Sequence, residues 1–227
     1  MPAWIEFLLS GVCHQYPEHA LRFQGVALPL CARCTGLFGG AFLALAILLA
    51  WGRGRRTGFA PWWAQGALAA LATWWALDGL NSFLFGLLGR PWLYEPTNAL
   101  RLATGLGLGL AAGIELLPAA AQVLVARGDP RGVIQRPREL AVLLACQAAL
   151  AALLLRGRLP YALAAAWSTL GVALLLGGAN ALLLTIVLGG EPGTLSRRRL
   201  AALAFGGALL ALAEAGGLAL LRRWLGV

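Results

Sequence analysis

The sequence predicts an all-α, polytopic membrane helix bundle of about six transmembrane helices. Three observations carry that prediction. The chain is 60% hydrophobic and only 12% charged, and its mean hydropathy is +0.77, a composition that soluble domains do not sustain. Six apolar runs of about 18 residues or more each have the length of a bilayer crossing. Between them lie short separators rich in Gly, Pro and Arg, none long enough for a second domain.

In chain order, the N-terminal run Met1 to Leu9 is too short to span and lacks a basic leader. It is expected to form a short interfacial helix. Residues 1–34 then form a Cys/His segment. The six spans follow at about 35–52, 63–87, 98–120, 138–156, 161–188 and 199–221. The whole chain, 1–227, reads as one transmembrane helical domain, in which 35–113 carry motifs and 114–227 are scaffold. Gly105, Gly109 and Gly113 recur every fourth residue, and Gly36 with Gly40, and the adjacent Gly177-Gly178 in the fifth span, invite the same reading. They are expected to allow close helix approach. Trp62, Trp63, Trp92, Tyr94 and Trp224 fall near helix ends as interfacial belt residues.

All eighteen basic residues are arginine and the net charge is +9. They sit in small groups between apolar runs, which suits anionic lipid at membrane-flanking loops and argues against nucleic acid. Six spans put both termini on one side, with eight arginines against ten opposite, or six against ten if Arg33 and Arg101 are site residues. The positive-inside rule then places the termini and the Cys/His segment outside the cytoplasm of a cell membrane.

Alternating helix direction gathers the unusual residues at that same end. The first span starts just after Cys31 and Cys34. Asp78 lies late in the second, followed by Asn81 and Ser82. The third opens with Glu95, Asn98, Arg101 and Thr104, and Asn98, Arg101 and Gly105 share one face. An Asp and an Arg inside apolar helices cost several kcal/mol unless they pair or face a wet cavity. Two readings are open: an Asp78–Arg101 ion pair, or a polar pocket roofed by the cysteine segment.

Cys31-x-x-Cys34 converges two thiols on one point, which suits tetrahedral zinc or a redox dithiol. Cys13 and either His14 or His19 complete a four-ligand set. The adjacency of Cys13 and His14 departs from usual zinc spacing, so His19 is the better fourth ligand and His14 is then free to act as a base. The thiol reading rests on Arg33 and the helix start, which both lower a thiol pKa. A c-type haem is excluded, because Thr35 follows the pair where a His is required. Cys146, Gln147 and Asn180 are read as core or interhelical hydrogen-bonding residues.

At Cys13-His14-Gln15 and Cys31-Ala32-Arg33-Cys34-Thr35-Gly36 the chain resembles an uncharacterised prokaryotic family of multi-pass membrane proteins, a domain of unknown function. Asp78-Gly79, Asn98, Arg101 and Thr104-Gly105 extend the resemblance over about 13–113, while Leu80-Asn81 departs from the pair relatives tend to carry. The family implies no activity. It implies that Cys13, His14, Cys31, Arg33, Cys34, Asp78, Asn98 and Arg101 belong to one site.

The expected function is a zinc site with ligands Cys13, Cys31, Cys34 and His14 or His19 at the membrane surface. Asp78, His14 and Arg101 would be catalytic, and Arg33, Asn98, Thr104 and Glu95 would bind an anionic or lipid-linked small molecule. The alternatives are a membrane thiol–disulfide oxidoreductase using Cys31 and Cys34, and an anion or metal-ion transporter. The oligomeric state is left open.

Overall fold

A computed structural model describes residues 1–188 and 195–226. The order of elements is α1 (Ala3–Ser10), a 3-10 turn (Pro17–His19), β1 (Ala20–Phe23), β2 (Val26–Cys31), α2 (Ala32–Ala50), β3 (Arg56–Gly58), α3 (Trp62–Leu88), α4 (Asn98–Leu124), β4 (Asp129–Gly132), α5 (Pro137–Leu155), α6 (Tyr161–Val187) and α7 (Arg197–Leu225). Helices fall on all six expected runs, and α1 is the expected short N-terminal helix. Five of them, α2 and α4 to α7, are long and apolar enough to cross a membrane. The 27-residue α3 has the length but not the hydropathy. Four tryptophans, Gln65, Asp78 and Asn81 dilute its apolar content.

The central pair is α2 against α4, with α3 packed on α4, α6 on α2, α7 on α6, and α1 on α7. Glycine makes that pair possible. A Cβ on Gly105 would lie 2.2 Å from the Arg33 carbonyl oxygen, and one on Gly109 would lie 2.2 Å from that of Leu37. Gly36 answers from α2, where a Cβ would lie 2.5 Å from the Leu102 oxygen. No real Cβ fits at such distances, so the two backbones are in direct contact. By contrast, Gly178 faces open space and Gly177 makes ordinary contact. The close approach of α7 to α6 is made by Gly207, whose Cβ would lie 2.5 Å from the Ala181 nitrogen. Gly109→Val should therefore force α2 and α4 apart and cost at least about 2 kcal/mol. Thermal unfolding in detergent measures this, with Gly66→Ala, at a position open to solvent or lipid, as the control. Equal melting of Gly109→Val and wild type would contradict it.

Two small sheets cap the bundle at opposite ends. β1 and β2 form an antiparallel hairpin, closed by Gln24 and Gly25 at φ 52° and 81°. Two successive positive φ values match the twist of a tight hairpin. Phe23, Leu28 and Leu30 bury its inner face against α6 and the ends of α4 and α5. At the other end β3 and β4 pair in parallel. There Arg53 is buried and donates to the Val133 carbonyl and to Glu139, at 3.0 and 2.6 Å. Glu139 also accepts the Gln135 and Arg136 N–H groups at the start of α5.

Candidate metal centre

The thiol cluster is assembled by the ends of three elements. Cys13 follows α1, its N–H bonded to the Leu9 carbonyl at 2.9 Å, and it is 2% exposed. Cys31 ends β2 and is the N-cap of α2, its sulfur accepting the Cys34 N–H at 3.5 Å. The Cys31 N–H in turn donates to the Cys13 sulfur at 3.2 Å. The three sulfurs lie within 4.8 Å of one another, and all four cysteines of the chain are free thiols. Hydrogen bonds from Cys13 and Cys34, then the Cys34 N–H and the Arg33 charge, hold the Cys31 thiol well below its usual range. Donation to Cys31, together with burial, pushes the Cys13 thiol up.

A tetrahedral zinc with Zn–S bonds of about 2.3 Å needs sulfurs roughly 3.8 Å apart. Three soft donors within 4.8 Å, two of them already receiving backbone N–H bonds, fit that requirement with one coordination position open. A group that stabilises thiolate is what a metal site needs, since the metal binds only the deprotonated sulfur.

The histidines stand outside this group. His14 is exposed and stacks on Tyr16 at 5.8 Å between ring centroids. Gln15 explains the outward turn. It is a non-glycine residue at φ 55°, and its side chain donates to the Glu6 and Pro29 carbonyls at 3.0 Å each. His19 is half-buried beside the hairpin, where its neighbour Ala20 pairs with Cys31. Burial first, and then the Arg101 charge, lower the His19 pKa. The imidazole is thereby kept in its neutral, ligand-competent form.

Beneath the thiols, the Asp78–Arg101 pair is not the one formed. Asp78, fully buried, is paired with Arg33, whose Nε donates at 3.0 Å and whose second nitrogen also reaches the same carboxylate. Arg33 further donates to the Asp78 carbonyl at 3.1 Å and to Ser82 at 2.8 Å. The remaining donors to the carboxylate are the Tyr94 hydroxyl at 2.9 Å and the Thr104 hydroxyl at 3.2 Å. Burial, then the bond to Asp78, push the Tyr94 phenol up to about 12. Tyr94 is thus a network member, where a belt residue was expected. The physical reason for Arg33 is local. α2 begins at Ala32, so Arg33 lies in its first turn, where glycine contact brings α4 and its neighbour α3 within reach.

Asn81, fully buried, holds the α3–α4 connection by donating to the Tyr94 carbonyl at 2.8 Å and accepting the Leu93 N–H at 2.9 Å. Asn98 ties α4 to the lid by donating to the Glu18 and Ala20 carbonyls at 2.9 and 3.4 Å. Its oxygen accepts from Arg101 at 3.0 Å. Arg101 is 6% exposed, and among the described residues it has no carboxylate partner and its Nε no hydrogen-bond partner. Glu95 is exposed and outside the network. Elsewhere Gln147 donates to the Gly40 carbonyl and Asn180 to Glu214, as interhelical bonds.

A bundle of membrane-length helices with a sulfur-bearing lid at one end is a multi-pass membrane protein. The chain belongs to the predicted membrane protein family DUF2085, which it matches over residues 13–114. That stretch contains the lid, all three clustered cysteines and the Asp78 network. A curated relative, an uncharacterized protein of Methanothermobacter thermautotrophicus, is 33% identical over 102 residues, covering 44% of this chain and 81% of the relative. No solved structure matches the chain.

Proposed function

We propose that this protein carries a three-thiolate zinc site at the membrane interface, with Cys13, Cys31 and Cys34 as ligands. The observation that supports it most is the convergence of three thiols drawn from residues 18 and 21 positions apart, two of them hydrogen-bonded by backbone N–H groups. His19, kept neutral and next in sequence to Ala20, which pairs with Cys31, is the histidine candidate for the fourth position. With three thiolates and a divalent ion the centre carries one net negative charge, and Arg101 beneath the lid supplies a positive one. When bound, zinc would polarise a ligand at the open position. The substrate class this suits is a small anionic or lipid-linked molecule drawn toward Arg101, with Asp78 and Thr104 fixing the floor.

The test is elemental analysis of purified protein, expected near one equivalent of zinc. Less than about a tenth of an equivalent of any transition metal would remove the reading. A thiol–disulfide oxidoreductase is the second reading, favoured by three free, adjacent thiols with Cys31 held toward thiolate. Mass-shift trapping separates the two, because only the second requires a Cys31–Cys34 or Cys13–Cys31 bond that follows the redox poise. The arginine balance supports an extracytoplasmic lid. A membrane-impermeant maleimide should then label chelator-treated intact cells, and protection until lysis would reverse the orientation.

A further inference from the structure

We infer that Arg222, in the last turn of α7, is the positioning residue that fixes Cys13 in the thiol cluster. One guanidinium nitrogen of Arg222 donates to the Ser10 and Cys13 carbonyls at 2.5 and 2.8 Å, and the other reaches the His14 carbonyl at 3.5 Å. The Ser10 carbonyl is one that the end of α1 leaves without a helical partner, and those of Cys13 and His14 belong to the stretch that follows it. Among the described residues no carboxylate pairs with Arg222, so its charge faces the Cys13 segment alone. Two further contacts dock the same stretch on α7. A Cβ on Gly11 would lie 1.9 Å from the Ala215 carbonyl oxygen, and Arg223 sits 6.0 Å from the Phe7 ring centroid.

Cys13 needs such a hold. Its sulfur receives one N–H bond from Cys31, whereas Cys31 and Cys34 share a single helix start. Cys13 is the ligand on a separate arm, and α7 closes that arm. The family match ends at residue 114, well before α7. With 102 residues making up 81% of the archaeal relative, its remainder is too short for three more membrane helices. The clamp belongs to the part of this chain outside the shared module.

This inference rests on the zinc reading for its affinity arm only. Zinc affinity, by chelator competition, should fall about ten- to a hundredfold in Arg222→Gln, the range for residues that orient metal ligands. Arg222→Lys should be intermediate, because an ammonium cannot span three carbonyls, and Arg198→Gln, exposed at the opposite end of α7, should match wild type. In metal-free protein, maleimide labelling of Cys13 should run several-fold faster in Arg222→Gln. Wild-type affinity and wild-type labelling in Arg222→Gln overturn the clamp. If Arg222→Gln does not fold, Arg222→Lys decides, and its equality with wild type in both assays overturns it. If wild type binds no metal and Cys13→Ser changes nothing, the zinc reading falls while the labelling rate still judges the clamp.

Discussion

Cys31→Ser is expected to weaken zinc binding on the order of a hundred- to a thousandfold while leaving the helices in place. Structural zinc binds with about 10–16 kcal/mol over four ligands, so one thiolate is worth roughly 3–4 kcal/mol, and each 1.4 kcal/mol is tenfold. Serine is the informative replacement. Cys31 is the N-cap of α2, its sulfur accepting the Cys34 N–H, and a serine hydroxyl caps a helix well. The ligand is lost and the cap is kept. Circular dichroism should therefore be unchanged while chelator competition shows the loss. An unchanged zinc affinity would rule out Cys31 as a ligand. Affinity in the parent protein should also fall with falling pH, since protons compete with the metal for the thiolates.

Asp78→Ala is expected to destabilise the bundle by about 3–5 kcal/mol, the range for removing one partner of a buried ion pair. In a chain of this size that is roughly 10 °C in melting temperature. The mutation strands the Arg33 guanidinium and leaves the Tyr94 and Thr104 hydroxyls without their acceptor. Most of the loss is the cost of the orphaned charge, so Asp78→Leu combined with Arg33→Met should recover much of it. Melting of Asp78→Ala within about a degree of wild type would show that the pair is not closed in solution. A double variant less stable than either single one would show that the pair is net stabilising.

The helices were legible because apolar runs separated by Gly, Pro and Arg leave few other arrangements in a bilayer, where every backbone group must be paired within its own segment. The same alternation placed Asp78 and the start of α4 at the thiol end. What it could not supply was the partner. Arg33 and Arg101 both reach that end, and only the start of α2 at Ala32 and the glycine contact with α4 decide that Arg33 meets Asp78. The hairpin stayed hidden because its turn, Gln24-Gly25, lacks the usual Asn-Gly or Asp-Gly signal and Pro29 interrupts its second strand. His14 looked like a site residue by adjacency to Cys13, yet the left-handed Gln15 beside it leaves the ring in solvent. Gln15 itself ties α1 to the hairpin, and only its place in the Cys-His-Gln motif marked it. Arg222 reads in sequence as one more interfacial arginine, since its partners are 208 to 212 residues away.

The turn Cys31-Ala-Arg-Cys34 has a mechanical consequence. Successive residues of a helix point about 100° apart. Arg33 is bolted sideways to α3 while Cys34 presents its thiol toward the lid, and Gly36 seats the same turn on α4. Any rotation of α2 about its axis that improves one of these fits spoils another, so the helix behaves as a keyed shaft. With the Cys13 arm bound to α7 on the other side, both halves of the thiol cluster are held in one register.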